Sequence, residues 1–170
     1  MPLNNMPVMN DMLVRLYELP DIQAHLKRLD AAGIQVRRPN CWEKPLLLEW
    51  IRTHFVASWT LECEIAFTVR PPSCFIAVHQ EGIEGFACYD CTRLNFFGPA
   101  GVAEHARGKG TGAALLLSCL HAMKDRGYAY AIIGGVGPEA FYTKTVGATR
   151  IERSSPGIYD FSLIQPKSQN

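Results

Sequence analysis

The stretch Arg107-Gly-Lys-Gly-Thr-Gly112 stands where a loop opens directly into a long helix with an apolar stripe. Glycines at 108, 110 and 112 remove the side chains that would hold a ligand away from the backbone, so several N–H groups can converge on an anion. The first turn of the helix adds N–H groups that lack internal partners, and its dipole favours negative charge. With Arg107 and Lys109 as countercharges, the stretch predicts a phosphate-binding loop.

Two other phosphate-binding loops are excluded by spacing. The nucleotide-triphosphate P-loop needs Gly-Lys followed by Ser or Thr, whereas Gly108-Lys109 is followed by Gly110. The dinucleotide fingerprint needs Gly-x-Gly-x-x-Gly, and the spacing here is Gly-x-Gly-x-Gly. Neither nucleotide-binding fold is therefore supported.

The same residues fit the pattern Arg/Gln-x-x-Gly-x-Gly/Ala through Arg107, Gly110 and Gly112, with Val102 upstream of the arginine. A helical segment (113–126), an apolar segment (128–135) and Phe-Tyr-Thr-Lys-Thr-Val-Gly-Ala (141–148) follow in that order. Together they resemble the GNAT superfamily of acyl-coenzyme A-dependent N-acyltransferases, most strongly over residues 73–164.

The resemblance implies an α/β (α+β) fold. Its centre would be a mixed, mostly antiparallel sheet of about six to seven strands flanked by helices, with a splayed parallel strand pair at the coenzyme site. We expect a single N-acetyltransferase domain over residues 1–170. Residues 1–33 would form an extra N-terminal strand-helix unit, and residues 165–170 a polar tail.

Hydrophobic periodicity and turn residues predict the individual elements. Predicted helices cover residues 20–32, 45–55, 59–69, 110–126 and 138–146. Predicted strands cover residues 13–19, 34–38, 74–78, 83–89, 97–102, 128–133, 148–153 and 158–164. In the helix at 59–69, Leu61, Ile65 and Val69 recur every four residues, and in the helix at 110–126 Ser118, His121 and Asp125 are expected to face water. The strand at 128–133 has no polar alternation, so we expect it to be central and covered on both faces.

Composition indicates an ordinary globular protein, with 48% hydrophobic residues and a net charge of +1 over 170 residues. The sequence has no basic stripe with interleaved aromatics, so nucleic acid is not an expected partner. It has no apolar stretch of about 20 residues and no signal-peptide core, so we expect no membrane association and a cytoplasmic location. The oligomeric state stays open, a homodimer included.

The six cysteines are expected to stay reduced and to serve as small apolar residues. Cys88 and Cys91 have the spacing of half a zinc site, but the sequence offers no second pair and no His-x-x-x-His partner. The segment is interpreted as the end of a strand. No metal is expected.

The resemblance also assigns the coenzyme site, with acetyl-CoA as co-substrate. Its pantetheine arm would lie in the gap between the strands at 97–102 and 128–135, and the Val102 N–H would polarise the thioester carbonyl. The cofactor-binding residues would be Val102, Ala103, Arg107, Gly108, Lys109, Gly110, Thr111, Gly112 and Gly135. The usual Asn-x-x-Ala is replaced by Gly135 and Pro138, and the closing Gly-Phe by Gly147-Ala148. These departures affect a side-chain hydrogen bond to pantetheine and leave the phosphate loop intact.

Acyl transfer to an amine needs a base and is helped by an acid. The candidate bases are Asp90, Glu104 and Glu84, with Glu62 and Glu64 reachable through the acceptor-facing helix. Tyr142 aligns with the tyrosine that, in many relatives, protonates the departing thiolate. The predicted catalytic set is therefore Tyr142, Asp90 and Glu104.

The predicted function is transfer of an acetyl group from acetyl-CoA to a primary amine of a small molecule by direct attack. The acceptor would lie between the hairpin at 74–89 and the helices at 45–69, where Trp42, Trp50, Phe55 and Trp59 offer aromatic surface. The alternative is a non-catalytic acetyl-CoA-binding sensor or scaffold of the same fold. A nucleotide kinase or hydrolase would need a P-loop and a magnesium-binding acid that the sequence does not offer.

Overall fold

The computed structural model describes residues 9–159. Twelve helices and strands follow one another in these residues: β1 Met12–Arg15, α1 Gln23–Ala31, β2 Gln35–Arg37, α2 Lys44–His54, α3 Ala57–Ala66, β3 Cys74–His79, β4 Gly82–Tyr89, β5 Phe96–Val102, α4 Thr111–Asp125, β6 Tyr130–Ile133, α5 Glu139–Val146 and β7 Thr149–Arg150. Among these residues, no helix combines the length and apolar character needed to cross a bilayer.

The strands form one seven-stranded sheet in the order β2-β3-β4-β5-β6-β1-β7. Only β5 and β6 run parallel, and the other neighbours are antiparallel. The predicted fold class is therefore confirmed. The N-terminal strand-helix unit is present, and its strand β1 lies inside the sheet, where Met12 pairs with both Ile133 and Arg150.

Two hydrophobic cores lie on opposite faces of the sheet, because successive strand residues point to opposite faces. Ala77 and Ala87 face a core formed with α1 and α4, whereas Ile76 and Phe86 face a core formed with α2 and α3. The sheet is thus covered by helices on both sides, as expected for an α/β layer architecture.

Most predicted elements are confirmed within a few residues, but α3 differs in both bounds and orientation. It covers residues 57–66 rather than 59–69, and it buries the small residues Cys63 and Ala66. Leu61 and Ile65, which the periodicity would place inside, are 62% and 46% exposed. The helix packs closely against the sheet through its small residues, which turns the larger apolar ones outward.

Three smaller corrections concern the second half of the chain. Ser118 is buried, because α4 lies under the sheet over nearly its whole length. Strand β6 is central but only alternate residues, Ala131 and Ile133, are fully buried. Of the two predicted final strands, the first shrinks to β7, and Gly157–Tyr159 is a 3-10 helix. The rest of the second strand and the polar tail lie outside the described residues.

Candidate functional site

The glycine loop joins β5 to α4 at one end of the sheet. After Val102 the chain makes a short 3-10 turn, Glu104–Ala106, and α4 begins at Thr111. Gly108 and Gly110 have φ angles of +79° and +92°, in the left-handed region that favours glycine. These two positions explain why the loop needs glycine, since they turn the backbone so that its N–H groups line up ahead of the helix.

The N–H groups of residues 108–113 have no hydrogen-bond partner anywhere in residues 9–159. The backbone N–H groups on either side of this row are hydrogen-bonded. Arg107 N–H donates to the Glu104 carbonyl at 3.2 Å, and Ala114 N–H donates to the Gly110 carbonyl at 3.1 Å. The hydroxyl of Thr111 is buried and also lacks a partner among these residues. A row of free donors at the positive end of a helix dipole is well suited to bind phosphate oxygens.

Three basic side chains surround this row of donors. Arg107 Nε donates to the Val102 carbonyl oxygen at 3.3 Å, which leaves the rest of its guanidinium available. Lys109 Nζ lies 3.5 Å from Glu84 Oε1. The third, Arg28 of α1, lies against Gly110, where a Cβ atom would overlap its guanidinium. Sequence reasoning missed Arg28, because it reaches the loop only through the tertiary packing of α1.

The two parallel strands beside the loop separate, as predicted. Strands β5 and β6 pair only at Phe96 with Ile132 and Phe97 with Ile133, and β5 then continues to Val102 without a neighbour on that side in the described chain. Ala103 N–H donates to the Glu84 carbonyl of β4 at 2.8 Å. Because alternate residues of a strand donate to opposite sides, the Val102 N–H points into the gap between β5 and β6.

The far side of the gap is formed by the residues after β6. Gly135 has a φ of +56°, and its N–H donates to Asp11 Oδ1 at 2.9 Å. A Cβ atom at Gly135 would lie 3.6 Å from the Tyr159 ring. The predicted cofactor residue Gly135 is therefore at the gap, but its N–H is already bound by Asp11, a residue that sequence reasoning did not single out.

Tyr142 of α5 lies beside the same gap. Its ring packs edge-on against Phe97 of β5, with centroids 6.3 Å apart, and against Phe141, with centroids 5.0 Å apart. A Cβ atom at Gly112 would lie 3.8 Å from Phe141, so this aromatic pair connects α5 to the start of α4. Burial raises the pKa of the Tyr142 hydroxyl above its ordinary value.

The structure does not bring Asp90 to this site. Its carboxylate accepts hydrogen bonds from Asn95 N–H at 2.8 Å and Tyr128 Oη at 3.2 Å, and it lies 3.2 Å from Arg126. Asp90 follows β4 beside Phe96, at the opposite end of β5 from Val102, a separation of roughly 20 Å along the strand. Its three partners indicate a role in the turn between β4 and β5.

Of the two acidic residues beside Val102, Glu84 and Glu104, Glu84 is the buried one. It is only 5% exposed, and its Oε2 is buried without a hydrogen-bond partner in residues 9–159. Its backbone carbonyl accepts the Ala103 N–H, and it lies at a bulge in β4, where the register with β3 shifts between Ala77 and Val78. An unpaired oxygen on a buried carboxyl group lowers the stability of the fold. This cost makes Glu84 a candidate for a functional role.

The other candidate acids are less enclosed. Glu104 is exposed in the turn after Ala103, two residues from Val102. Glu62 accepts a hydrogen bond from Thr92, and Glu64 lies 3.4 Å from Lys44 on the exposed side of α3. Glu104 is thus at the edge of the site, whereas Glu62 and Glu64 are engaged elsewhere.

An aromatic cluster covers β4 and β5 on the face opposite α4. The Phe55 ring lies directly on Gly101 and stacks on Trp59, with centroids 5.3 Å apart. Trp50 and Phe86 complete the cluster, with centroids 5.6 and 5.8 Å from that of Phe55. Trp42, also predicted to contribute, is 73% exposed and does not belong to it. The cluster lies one residue from Val102, on the side where an acceptor was predicted.

A separate groove of about 430 Å³ lies at the C-terminal end of α4, between Arg38, Tyr89, His121 and Arg126. The 15-residue length of α4 separates it from the glycine loop by about 22 Å. It therefore has no part in the site around Val102.

No family model matches the sequence, and no curated protein matches it. Solved structures, in contrast, do match the chain. The GCN5-related glucosamine N-acetyltransferase region of a fungal multi-domain GH3 β-N-acetylglucosaminidase superposes with a TM-score of 0.68 at 17% identity over 86% of this chain. A GCN5-related N-acetyltransferase from Sphaerobacter thermophilus gives 0.64 at 18% identity over 86% of this chain. The chain has the GNAT fold.

The likeness is limited to the fold, since the sequence identities are low. A Drosophila protein also superposes, with a TM-score of 0.56 at 11% identity over 84% of this chain. The chain spans 20%, 50% and 47% of these three proteins' own lengths. The superpositions thus establish the GNAT fold, and the chemistry has to be argued from the residues of this chain.

Proposed function

We propose that the chain is an N-acetyltransferase that moves an acetyl group from acetyl-CoA to a primary amine of a small molecule by direct attack. One observation carries the proposal. The Val102 N–H points into an open gap between two parallel strands, and this gap adjoins a row of free N–H groups at the start of α4. The GNAT fold found by superposition supports the same reaction class.

The residues present fit acetyl-CoA, which when bound supplies an acetyl group activated as a thioester. Residues 108–113 would hold the diphosphate through their N–H groups, with Arg107, Lys109 and Arg28 as countercharges. The Val102 N–H would donate to the carbonyl oxygen as negative charge develops there. Since Gly135 N–H is taken by Asp11, we expect contacts to pantetheine on that side to come from other atoms.

Glu84 is the proposed general base. An alkylamine has a pKa near 10.4, so deprotonating it at pH 7 costs about 4.6 kcal/mol. When the neutral amine attacks the thioester, its nitrogen becomes positively charged and must lose a further proton. In the proposed step the amine nitrogen bonds to the carbonyl carbon, and the unpaired Glu84 Oε2 accepts the proton directly or through one water. Lys109 beside Oε1 would stabilise the carboxylate before the proton arrives.

Tyr142 is the proposed general acid. As the carbon–sulfur bond breaks, its hydroxyl would give a proton to the leaving thiolate. A tyrosine hydroxyl has a pKa near 10 and carries its proton at neutral pH, so Tyr142 has a proton to give. A thiol with a pKa near 8.5 is a moderately good leaving group without help, so this proton is a contribution and not a requirement.

The acceptor would bind on the side of the aromatic cluster formed by Trp50, Phe55, Trp59 and Phe86. Such rings favour acceptors with an apolar face, including the CH face of an amino sugar. One structure with the same fold is named as a glucosamine N-acetyltransferase region, so glucosamine belongs among the first acceptors to be tried.

The test is a panel of amino sugars, amino acids, polyamines and peptide N-termini incubated with acetyl-CoA. Release of free thiol is recorded and the acetylated product is identified by mass. At least one primary amine should raise thiol release well above hydrolysis. If coenzyme A binds but no amine in a broad panel is acetylated, the chain is a sensor or scaffold and the proposed function is wrong.

A further inference from the structure

Three cysteines that are far apart in the sequence meet in the core between α3 and the sheet. Cys63 lies on α3, Cys74 begins β3, and Cys88 is its direct partner across the strand pair on β4. All three are fully buried, and their Sγ atoms lie within 4.8 Å of one another. This convergence is absent from the sequence pattern, where only the Cys88-x-x-Cys91 spacing is visible.

Sulfur atoms at this separation are close to the geometry of a zinc site. Zn–S bonds are about 2.3 Å, so the sulfurs of a tetrahedral site are about 3.8 Å apart. Side-chain adjustments of about 1 Å or less would bring the three sulfurs to that spacing. Three sulfurs without carboxylates or hydroxyls among them favour soft or borderline ions such as Zn²⁺ over Mg²⁺ or Ca²⁺.

A fourth sulfur, that of Cys91, lies beside Cys88 but outside the 4.8 Å that encloses the other three, so it would have to move further to join them. Cys91 is 6% exposed and its thiol neighbours that of Cys88. At present it donates to the Tyr89 carbonyl at 3.3 Å and lies 3.8 Å from Ser73 Oγ. These are weak thiol contacts, and two residues between cysteines is a frequent spacing for zinc ligands.

We propose that Cys63, Cys74, Cys88 and Cys91 bind one Zn²⁺ ion that fastens α3 to the β3–β4 hairpin. Binding replaces four S–H bonds by four Zn–S bonds and releases four protons to solvent, without electron transfer. We assign the ion a structural role, because the sulfurs are buried in one hydrophobic cluster with Leu47, Ile51 and Ala66, away from solvent. Lys44, which lies 3.4 Å from Glu64 beside Cys63, provides a nearby positive charge.

A metal at this site would also affect the aromatic cluster where the acceptor is proposed to bind. Helix α3 also carries Trp59, which stacks on Phe55 above Gly101. A metal at Cys63 would therefore fix the helix that positions this ring. The metal proposal stands independently of the proposed acetyl transfer, since it concerns only the packing of α3.

The first test is the metal content of the full chain, purified with a reductant and without chelators. Mass spectrometry of the elements should give about one zinc per chain. Titration of the metal-free, reduced chain with Co²⁺ should produce the absorption of cobalt–thiolate bonds, and added Zn²⁺ should abolish it. Cys63→Ser and Cys88→Ser should each lose the bound zinc and the cobalt spectrum.

Two variants serve as controls. Cys119→Ser removes a buried cysteine on the α4 side of the sheet, and Cys41→Ser removes an exposed one. Both should keep their zinc. If Cys63→Ser does not fold, the cobalt titration of the unaltered chain still decides the question. A chain that contains no zinc and gives no cobalt spectrum would overturn the proposal, and so would a Cys74–Cys88 disulfide in the freshly purified protein.

Discussion

The guanidinium group of Arg28 lies against Gly110, at the place where any other residue would carry its Cβ atom. This contact adds a third cation to the row of N–H groups at residues 108–113. We expect Arg28→Ala to weaken coenzyme A binding about tenfold, since a charge-assisted hydrogen bond contributes about 1.5 kcal/mol. Calorimetric titration measures the effect. Lys27→Ala removes an equal charge from the same helix and should bind normally. Equal losses in both variants would indicate long-range attraction instead of contact.

The variant Gly110→Ala tests the same contact between Arg28 and Gly110 by changing the glycine. A methyl group at a φ of +92° costs about 1–2 kcal/mol and also displaces the Arg28 guanidinium. Gly108→Ala is the matched control, because its φ is +79° but no atom lies within 4 Å of an added methyl. Coenzyme binding should fall more in Gly110→Ala, and a further Arg28→Ala change should then have little effect. Fully additive losses would contradict the contact.

Glu84→Gln should lower kcat by about 10²–10³-fold while leaving the affinity for coenzyme A nearly unchanged, because the amide cannot accept the amine proton. The comparison variant is Glu104→Gln, which alters the exposed acid two residues beyond Val102. Steady-state kinetics on the best acceptor distinguish the two. If Glu104→Gln is the inactive variant and Glu84→Gln is active, Glu104 is the base.

Tyr142→Phe should lower kcat by about tenfold with coenzyme affinity retained, since only the proton to the leaving thiolate is lost. Its half-buried ring still packs on Phe97, so the fold should be unaffected. Tyr130→Phe, on the neighbouring strand β6, provides the control. A loss of coenzyme binding in Tyr142→Phe would show that the hydroxyl holds the ligand and does not act as an acid.

The ion pair between Arg37 and Glu43 predicts a specific loss of stability in acid. Hydrogen bonds from the Arg37 guanidinium, at 2.7 and 2.8 Å, hold the pKa of Glu43 at about 2, below its ordinary 4.5. The folded state therefore binds this proton more weakly than the unfolded state. The contribution, about 1–2 kcal/mol with solvent screening, is complete above pH 5 and is lost as the pH falls toward 2. Glu43→Gln should unfold more easily in urea at pH 6, and the difference should vanish near pH 2. A difference in stability between Glu43→Gln and the unaltered protein that persists at pH 2 would contradict the lowered pKa of Glu43.

Local signals account for much of what could be predicted. The glycine loop, the two helices at 45–69 and the β3–β4 hairpin are marked by residues close to one another in sequence, namely glycines, Pro45 and the Gln80-Glu81 turn. The orientation of α3 was not predictable in this way. Periodicity selects the most hydrophobic face, but Cys63 and Ala66 allow closer packing than Leu61 and Ile65.

The unpredicted parts of the site depend on contacts between distant segments. Arg28 reaches the glycine loop from α1, and Asp11 binds Gly135 N–H from the other end of the chain. Asp90 looked like a candidate base because the sequence does not reveal its partners Asn95, Tyr128 and Arg126. In each case the deciding fact is which side chain is already hydrogen-bonded, and that requires three-dimensional structure.

The position of β1 also sets the order in which the sheet can be completed during synthesis. Met12 leaves the ribosome about 120 residues before its partner Ile133, and its second partner Arg150 follows later still. Until then β1 has neither neighbour, and its backbone donors and acceptors must remain hydrated or be shielded by a chaperone. Nascent chains stalled before β6 should therefore be protease-sensitive around β1, even when the β3–β4 hairpin has already formed.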